Sequence, residues 1–176
     1  MHHSVVIPAP FRMQEMHPPT MASCMIPAAG RNGKIDRRGM PAPQVLLAED
    51  NPADVYLIRE ALREHRVDCE LKVAEDGERV LRILSDSAPG AEIPALIILD
   101  LNLPRHDGIE ILERRQETEE LRGVPVVVLT SSDSPQDRIA AKRLGVTRFL
   151  RKPSNLQEFL SLGAVFKELL EQTGAN

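Results

Sequence analysis

Four short stretches carry the residue types that could do chemistry: Glu49-Asp50, Asp100-Leu101-Asn102, Thr130-Ser131-Ser132 and Arg151-Lys152-Pro153. Each one closes an apolar run. If those runs are strands of one parallel sheet, three carboxylates, a hydroxyl and an ammonium meet outside the carboxyl ends of the strands, where ligands of such sheets bind. Two carboxylates about 4 Å apart repel by about 4 kcal/mol at an effective dielectric of about 20, so a cluster of three calls for a divalent cation. Hard oxygen donors on irregular loops suit Mg²⁺, with Mn²⁺ as the alternative. With such an ion in place an aspartate can act as nucleophile toward phosphorus, while the ion and a lysine neutralise the transferred group. The set therefore reads as phosphoryl transfer to an aspartate. Singly, each residue has a plainer reading: Glu49 or Asp50 as an acid at a helix N-terminus, Asp100 as a loop cap, Thr130 as a strand end, Lys152 as a solvated charge. Their joint placement reverses that preference.

The elements that must position these residues are legible from Gln44 onward. Apolar runs at Val45–Ala48, Cys69–Ala74, Ala95–Leu99, Val124–Leu129 and Val146–Leu150 alternate with helical patterns. That alternation predicts βα units and a parallel sheet, an α/β fold of (βα)₅ order. Three of the runs are nearly continuous Val, Ile and Leu, as in strands covered on both faces. The run at 69–74 alternates and belongs at a sheet edge. Asn51 and Pro52 predict a helix start, and further helices are expected after Asp76, from Gly108, and from Pro135 to Leu144, where Gly145 stops the last of these. A final helix begins at Ser154, with Gln157 completing a capping box. The residues from Ser85 to Pro94 read as a polar loop.

Composition separates this part from what precedes it. All six Met and seven of the fourteen Pro lie within residues 1–43. No period of 2 or 3.6 appears there, so we expect a flexible N-terminal extension over 1–43, with a transit peptide or a true start at Met40 as alternatives. Residues 44–172 form the expected domain and 173–176 a C-terminal tail. Past the last helix only Glu171 to Asn176 remain, so no output domain is expected there. Residues 44–176 hold 17 basic and 24 acidic residues, a net charge of −7, which argues against nucleic acid as a partner. No stretch is long and apolar enough to span a membrane, and no signal-peptide core is present. Cys24 and Cys69 form neither a disulfide framework nor a zinc motif, consistent with a cytoplasmic protein.

The stretches VLLAEDNPADV, LIILDLNLPRHDG, VVVLTSS and FLRKP, in this order and spacing, resemble the receiver domain of bacterial response regulators over about residues 44–172. The resemblance implies a flavodoxin-like, doubly wound five-stranded parallel sheet of order 2-1-3-4-5. It implies Asp100 as phosphoacceptor, Asp50, Asp100 and the backbone carbonyl of Asn102 as metal ligands, and Glu49 holding the metal through water. Thr130 would bond the phosphoryl group, Lys152 would pair with it, and the Lys152–Pro153 peptide would be cis. Phe149 would be the aromatic that turns inward when Thr130 is drawn to the phosphoryl group. His106 reads as a solvated loop histidine.

EDNPADVYLIREAL, the long loop before Pro94 and LDLNLPRHDG further resemble the stand-alone regulators partnered with bacterial phytochromes. That implies a sensor histidine kinase or phosphotransfer protein as donor and allows a homodimer through the last helices or strands. The expected protein is a phosphorelay receiver with self-catalysed phosphorylation and dephosphorylation, not a turnover enzyme. A haloacid-dehalogenase-like phosphohydrolase would want an acid where Asn102 stands. A flavodoxin-like binder would want a phosphate loop where Glu49-Asp50-Asn51-Pro52 stands. A phosphate-independent adaptor is the third alternative.

Overall fold

A computed structural model of the chain describes residues 39–85 and 93–173. Most of the expected extension, the polar loop over 86–92 and the tail from 174 lie outside the described residues. Five strands, β1 (Gln44–Ala48), β2 (Glu70–Ala74), β3 (Leu96–Leu99), β4 (Val126–Thr130) and β5 (Arg148–Arg151), form one parallel sheet of order β2-β1-β3-β4-β5. The helices are α1 (Pro52–Glu64), α2 (Gly77–Ser85), α3 (Gly108–Glu117), α4 (Glu119–Arg122), α5 (Pro135–Arg143) and α6 (Leu156–Thr173). The expected topology and the edge position of β2 are both found. The flavodoxin-like order places β1 and β3 side by side, so their carboxyl ends deliver Glu49-Asp50 and Asp100 to one place.

Alternation along the central strands divides the core into two layers. Leu46, Ala48, Ile97, Leu99, Val126 and Val128 face α2, α3 and α5, meeting Val80, Ile111, Leu112 and Ala141. Val45, Leu47, Leu96, Ile98, Val127 and Leu129 face α1 and α6, meeting Ile58, Leu62, Phe159, Phe166 and Leu169. Both faces of the middle strands are thus dry, which is why their sequence is apolar without a break. Helices α1 and α6 approach closely at Gly163, where a Cβ would lie 2.2 Å from the Ala61 carbonyl oxygen.

The helix starts are fastened by side chains. Asn51 Oδ1 accepts from Ala53 N at 3.0 Å, Asp76 Oδ1 from Arg79 N at 2.7 Å, and Ser134 Oγ from Asp137 N at 3.2 Å. Asp107 Oδ1 accepts from Glu110 N at 2.9 Å, so the residue before Gly108 is the cap of α3. The capping box expected at Ser154 is not formed. Instead Asn155 Oδ1 accepts from Glu158 N at 2.9 Å and α6 begins at Leu156. Asn caps at least as well as Ser, and its position sets the first turn.

The strict alternation of five strands with five helices is interrupted by α4, a single turn whose Leu121 is buried. The connection around it is clamped by Arg115, which is buried and donates from Nη2 to Arg122 O at 2.8 Å and Val124 O at 2.6 Å. Burial pushes the Arg115 guanidinium below its ordinary pKa.

Candidate phosphoacceptor site

The site is assembled by backbone pairing that runs one residue past each strand. Glu49 N donates to Ala74 O at 3.0 Å and Asp100 N to Ala48 O at 3.0 Å, which extends the ladder and fixes both acids at the sheet edge. Lys152 N donates to Thr130 O at 2.8 Å and so enters the site from β5. The β3–α3 loop is drawn in by Gly108 N donating to Leu101 O at 2.9 Å. No side chain fits at Gly108, since a Cβ would lie 2.6 Å from Leu101 Cα and 2.9 Å from the Asp100 carbonyl oxygen. Arg105 ties the same loop to the start of α2 through Asp76 and Glu78.

Glu49, Asp50 and Asp100 each present an oxygen, and these atoms all lie within 4.8 Å of one another. Glu49 and Asp100 are buried and Asp50 is exposed. The Lys152 ammonium stands inside the cluster, with Nζ 2.6 Å from Asp100 Oδ2, 2.8 Å from Glu49 Oε2 and 2.8 Å from Asp54 Oδ2. Asp100 Oδ1 accepts from Asn102 N at 3.0 Å, so both oxygens of this carboxylate are held. Burial pushes the Glu49 carboxyl above its ordinary value, and the nearby Lys152 ammonium only partly offsets that. For Lys152 burial acts downward, but hydrogen bonds to Asp100, Asp54 and Glu49 outweigh it and the ammonium is held well above its ordinary value.

Thr130 Oγ1 accepts from Asn102 Nδ2 at 3.3 Å and from Ser132 N at 3.2 Å, which places the hydroxyl beside the β3–α3 loop. Ser132 Oγ in turn donates to Asp137 Oδ2 at 2.6 Å. Phe149 lies opposite Val128 in the sheet, half-buried, with the Arg138 guanidinium 4.5 Å from its ring centroid. His106 pairs with Glu110 at 2.9 Å and does not join the acidic cluster.

One expectation is corrected. Among the described residues every peptide bond is trans, the Lys152–Pro153 bond included. Trans is the lower-energy form of an X–Pro bond. Lys152 already satisfies its N–H on Thr130 O and its ammonium on three carboxylates in this form.

Of the residues expected at the site, Glu49, Asp50, Asp100, Asn102, Thr130 and Lys152 are brought together, and Phe149 lies on the adjoining strand. Asp54 was not expected. Its sequence signal is an acid three residues after the Asn51 cap, which reads equally well as an acid favouring a helix N-terminus. Asp137 was missed for the same reason, being an acid in the first turn of α5.

This geometry agrees with the comparisons. The family profile of the response regulator receiver domain matches residues 45–162. Response regulator Rcp1 of Synechocystis sp. is 37% identical over 124 residues, spanning 69% of this chain and 84% of that protein. The crystal structure of the phosphorylated cyanobacterial phytochrome response regulator RcpA superposes with a TM-score of 0.67 at 33% identity, over 75% of this chain and 96% of that one. The Mn²⁺-bound form of response regulator Rcp1 gives 0.66 at 35% identity, over 72% and 92%. A sheet of order 2-1-3-4-5 ending in this acid, lysine and threonine set, with a receiver match over most of the domain, leads to one conclusion: the chain belongs to the response regulator receiver family of two-component signalling.

Proposed function

We propose that the domain accepts a phosphoryl group on Asp100 from a phosphohistidine donor, a sensor histidine kinase or phosphotransfer protein, and signals by a change of its surface. The observation that carries this reading is the Lys152 ammonium 2.6 Å from Asp100 Oδ2 inside a cluster of carboxylates. A lone structural aspartate needs no such surroundings. In the transfer, an Asp100 carboxylate oxygen forms a bond to phosphorus while the P–N bond of the donor breaks, its electron pair leaving with the histidine nitrogen. Lys152 faces the charge that the transferred group brings in, and the Asn102 N–H orients the nucleophile.

Three oxygen donors within 4.8 Å, one of them on an acid destabilised by burial, fit a hard divalent cation. Asp50, Asp100 and the Asn102 carbonyl would hold it, with Glu49 acting through water. Mg²⁺ or Mn²⁺ bound there supplies positive charge to the oxygens of the transferred group.

Thr130 and Phe149 form the proposed switch. The Thr130 hydroxyl leaves Asn102 Nδ2 and Ser132 N for the phosphoryl group, and Phe149 follows inward, altering the surface of α5 and β5. Self-catalysed phosphorylation and hydrolysis, a cytoplasmic location and a homodimer through the last helix or strand belong to the same reading. It is supported by β5 at the sheet edge and by the net acidity of the domain, which disfavours nucleic acid. Among the described residues no helix is long and apolar enough to cross a membrane.

The test is the intact mass of the protein after incubation with acetyl phosphate and Mg²⁺. A gain of one phosphoryl group that vanishes in Asp100→Asn and after EDTA treatment is expected. No gain in folded protein with Mg²⁺ bound, from acetyl phosphate and from histidine kinases alike, would favour the phosphate-independent adaptor.

A further inference from the structure

Phosphoryl transfer at Asp100 gives a task to every carboxylate around Lys152 except Asp54. The ammonium has three protons, and three oxygens stand within hydrogen-bond distance of Nζ: Asp100 Oδ2 at 2.6 Å, Glu49 Oε2 at 2.8 Å and Asp54 Oδ2 at 2.8 Å. Asp100 and Asp54 accept hydrogen bonds from the ammonium, and Glu49 stands at ion-pair distance. The oxygens of an incoming phosphoryl group compete with these carboxylates for the ammonium while Asp100 is still the attacking group, so one contact must weaken as they arrive.

Burial decides which one. The Glu49 side chain is 1% exposed, and a carboxylate left so deep without its cation is costly, while Asp100 is the attacking group and its oxygen stays beside Lys152 as the bond to phosphorus forms. The Asp54 side chain is 17% exposed. It also lies in the first turn of α1, where unsatisfied N–H groups favour negative charge without any help from Lys152. Asp54 is therefore the partner that loses least.

We propose that Asp54 is a positioning residue that occupies one proton of Lys152 in the resting domain and yields it to the phosphoryl group, thereby restraining phosphorylation of Asp100. The inference rests on the phosphoacceptor reading above and adds a residue to it. No proton changes owner: a Lys152 N–H moves from Asp54 Oδ2 to a phosphoryl oxygen, and both groups keep their charge. Removing Asp54 leaves Lys152 tethered by Glu49 and Asp100 but with a free donor ready for the incoming group.

The test compares wild type with Asp54→Asn, Asp54→Ala and Asp54→Glu. The readouts are the initial rate of phosphoryl gain from acetyl phosphate, at Mg²⁺ saturating for each variant, and the thermal melting of each protein. Asp54→Ala should be faster than wild type by on the order of tenfold, the weight of one charge-assisted hydrogen bond. Asp54→Asn should fall between, because its amide oxygen still accepts but carries no charge, and Asp54→Glu should restore the wild-type rate. A role confined to stability would lower melting and leave the rate unchanged or slower. If Asp54→Ala does not fold, the near-isosteric Asp54→Asn decides alone. Wild type that gains phosphate on Asp100, with Asn and Ala variants equal to it or slower, overturns the role of Asp54 only. Wild type that gains no phosphate on Asp100, judged against Asp100→Asn, overturns the phosphoacceptor reading and this one together.

Discussion

Asp54 Oδ2 and Lys152 Nζ stand 2.8 Å apart although 98 positions of chain separate them. The contact joins the first turn of α1 to the end of β5, and it completes a set of three carboxylates on one ammonium. Lys152 is thus the counter-charge that lets the acidic pocket fold before any cation arrives.

Lys152→Met should therefore destabilise the metal-free domain by about 3 kcal/mol, because breaking a largely buried ion cluster leaves charges uncompensated. Urea unfolding in EDTA measures it. Added Mg²⁺ should recover part of the loss in the mutant, since a divalent cation meets the same carboxylates. Equal stability of mutant and wild type in EDTA would show that the lysine does not hold the pocket together.

The raised pKa of Glu49 makes a signed prediction. Between its ordinary value of 4.5 and its higher folded value, the folded chain binds the proton that the unfolded chain has released. The stability that Glu49 contributes is therefore fully present below pH 4.5 and is lost as pH rises through the folded value. In EDTA, the stability of wild type relative to Glu49→Gln should fall over that window. A difference independent of pH would contradict the burial-driven shift.

Gly108→Ala should cost about 1–3 kcal/mol, the usual range for an overpacked site. Its Cβ would meet Leu101 Cα at 2.6 Å and the Asp100 carbonyl oxygen at 2.9 Å, and backbone atoms cannot swing aside. Because the displaced segment carries Asp100, calorimetry should also show weaker Mg²⁺ binding. A variant with wild-type melting and metal affinity would refute this account of the loop.

Arg138 holds Phe149 by a cation–π contact at 4.5 Å on a partly exposed surface. Arg138→Ala should remove about 0.5–1 kcal/mol from the resting position of the ring, a two- to fivefold shift toward the inward conformer. Fluorine NMR on fluorophenylalanine at position 149 would read the populations with and without phosphorylation. No shift would mean that the ring is held by the sheet alone.

Much of the architecture was legible because two periods in the sequence are physically distinct. Unbroken Val, Ile and Leu at 96–99 and 126–129 could only be buried on both faces, whereas the alternation at 69–74 required an edge, and the sheet has both. The strand ends alone point to Glu49, Asp50, Asp100, Thr130 and Lys152. Capping was less legible where neighbours compete: Ser154 and Asn155 both cap well, and only the path of the chain out of β5 selects Asn155.

By itself, then, the sequence determined the order of elements and the identity of the chemistry-bearing residues, since strand and helix periods and strand-end chemistry are local properties. Only the tertiary structure decided the rest. The Asp54 carboxylate, which locally looks like any acid at a helix start, becomes a partner of Lys152 because the fold brings the first turn of α1 to the end of β5. Arg115, which locally looks like a solvated helix charge, becomes the buried clamp of the α3–β4 connection. Each depends on distances between residues far apart in the chain, and those follow from packing rather than from local pattern.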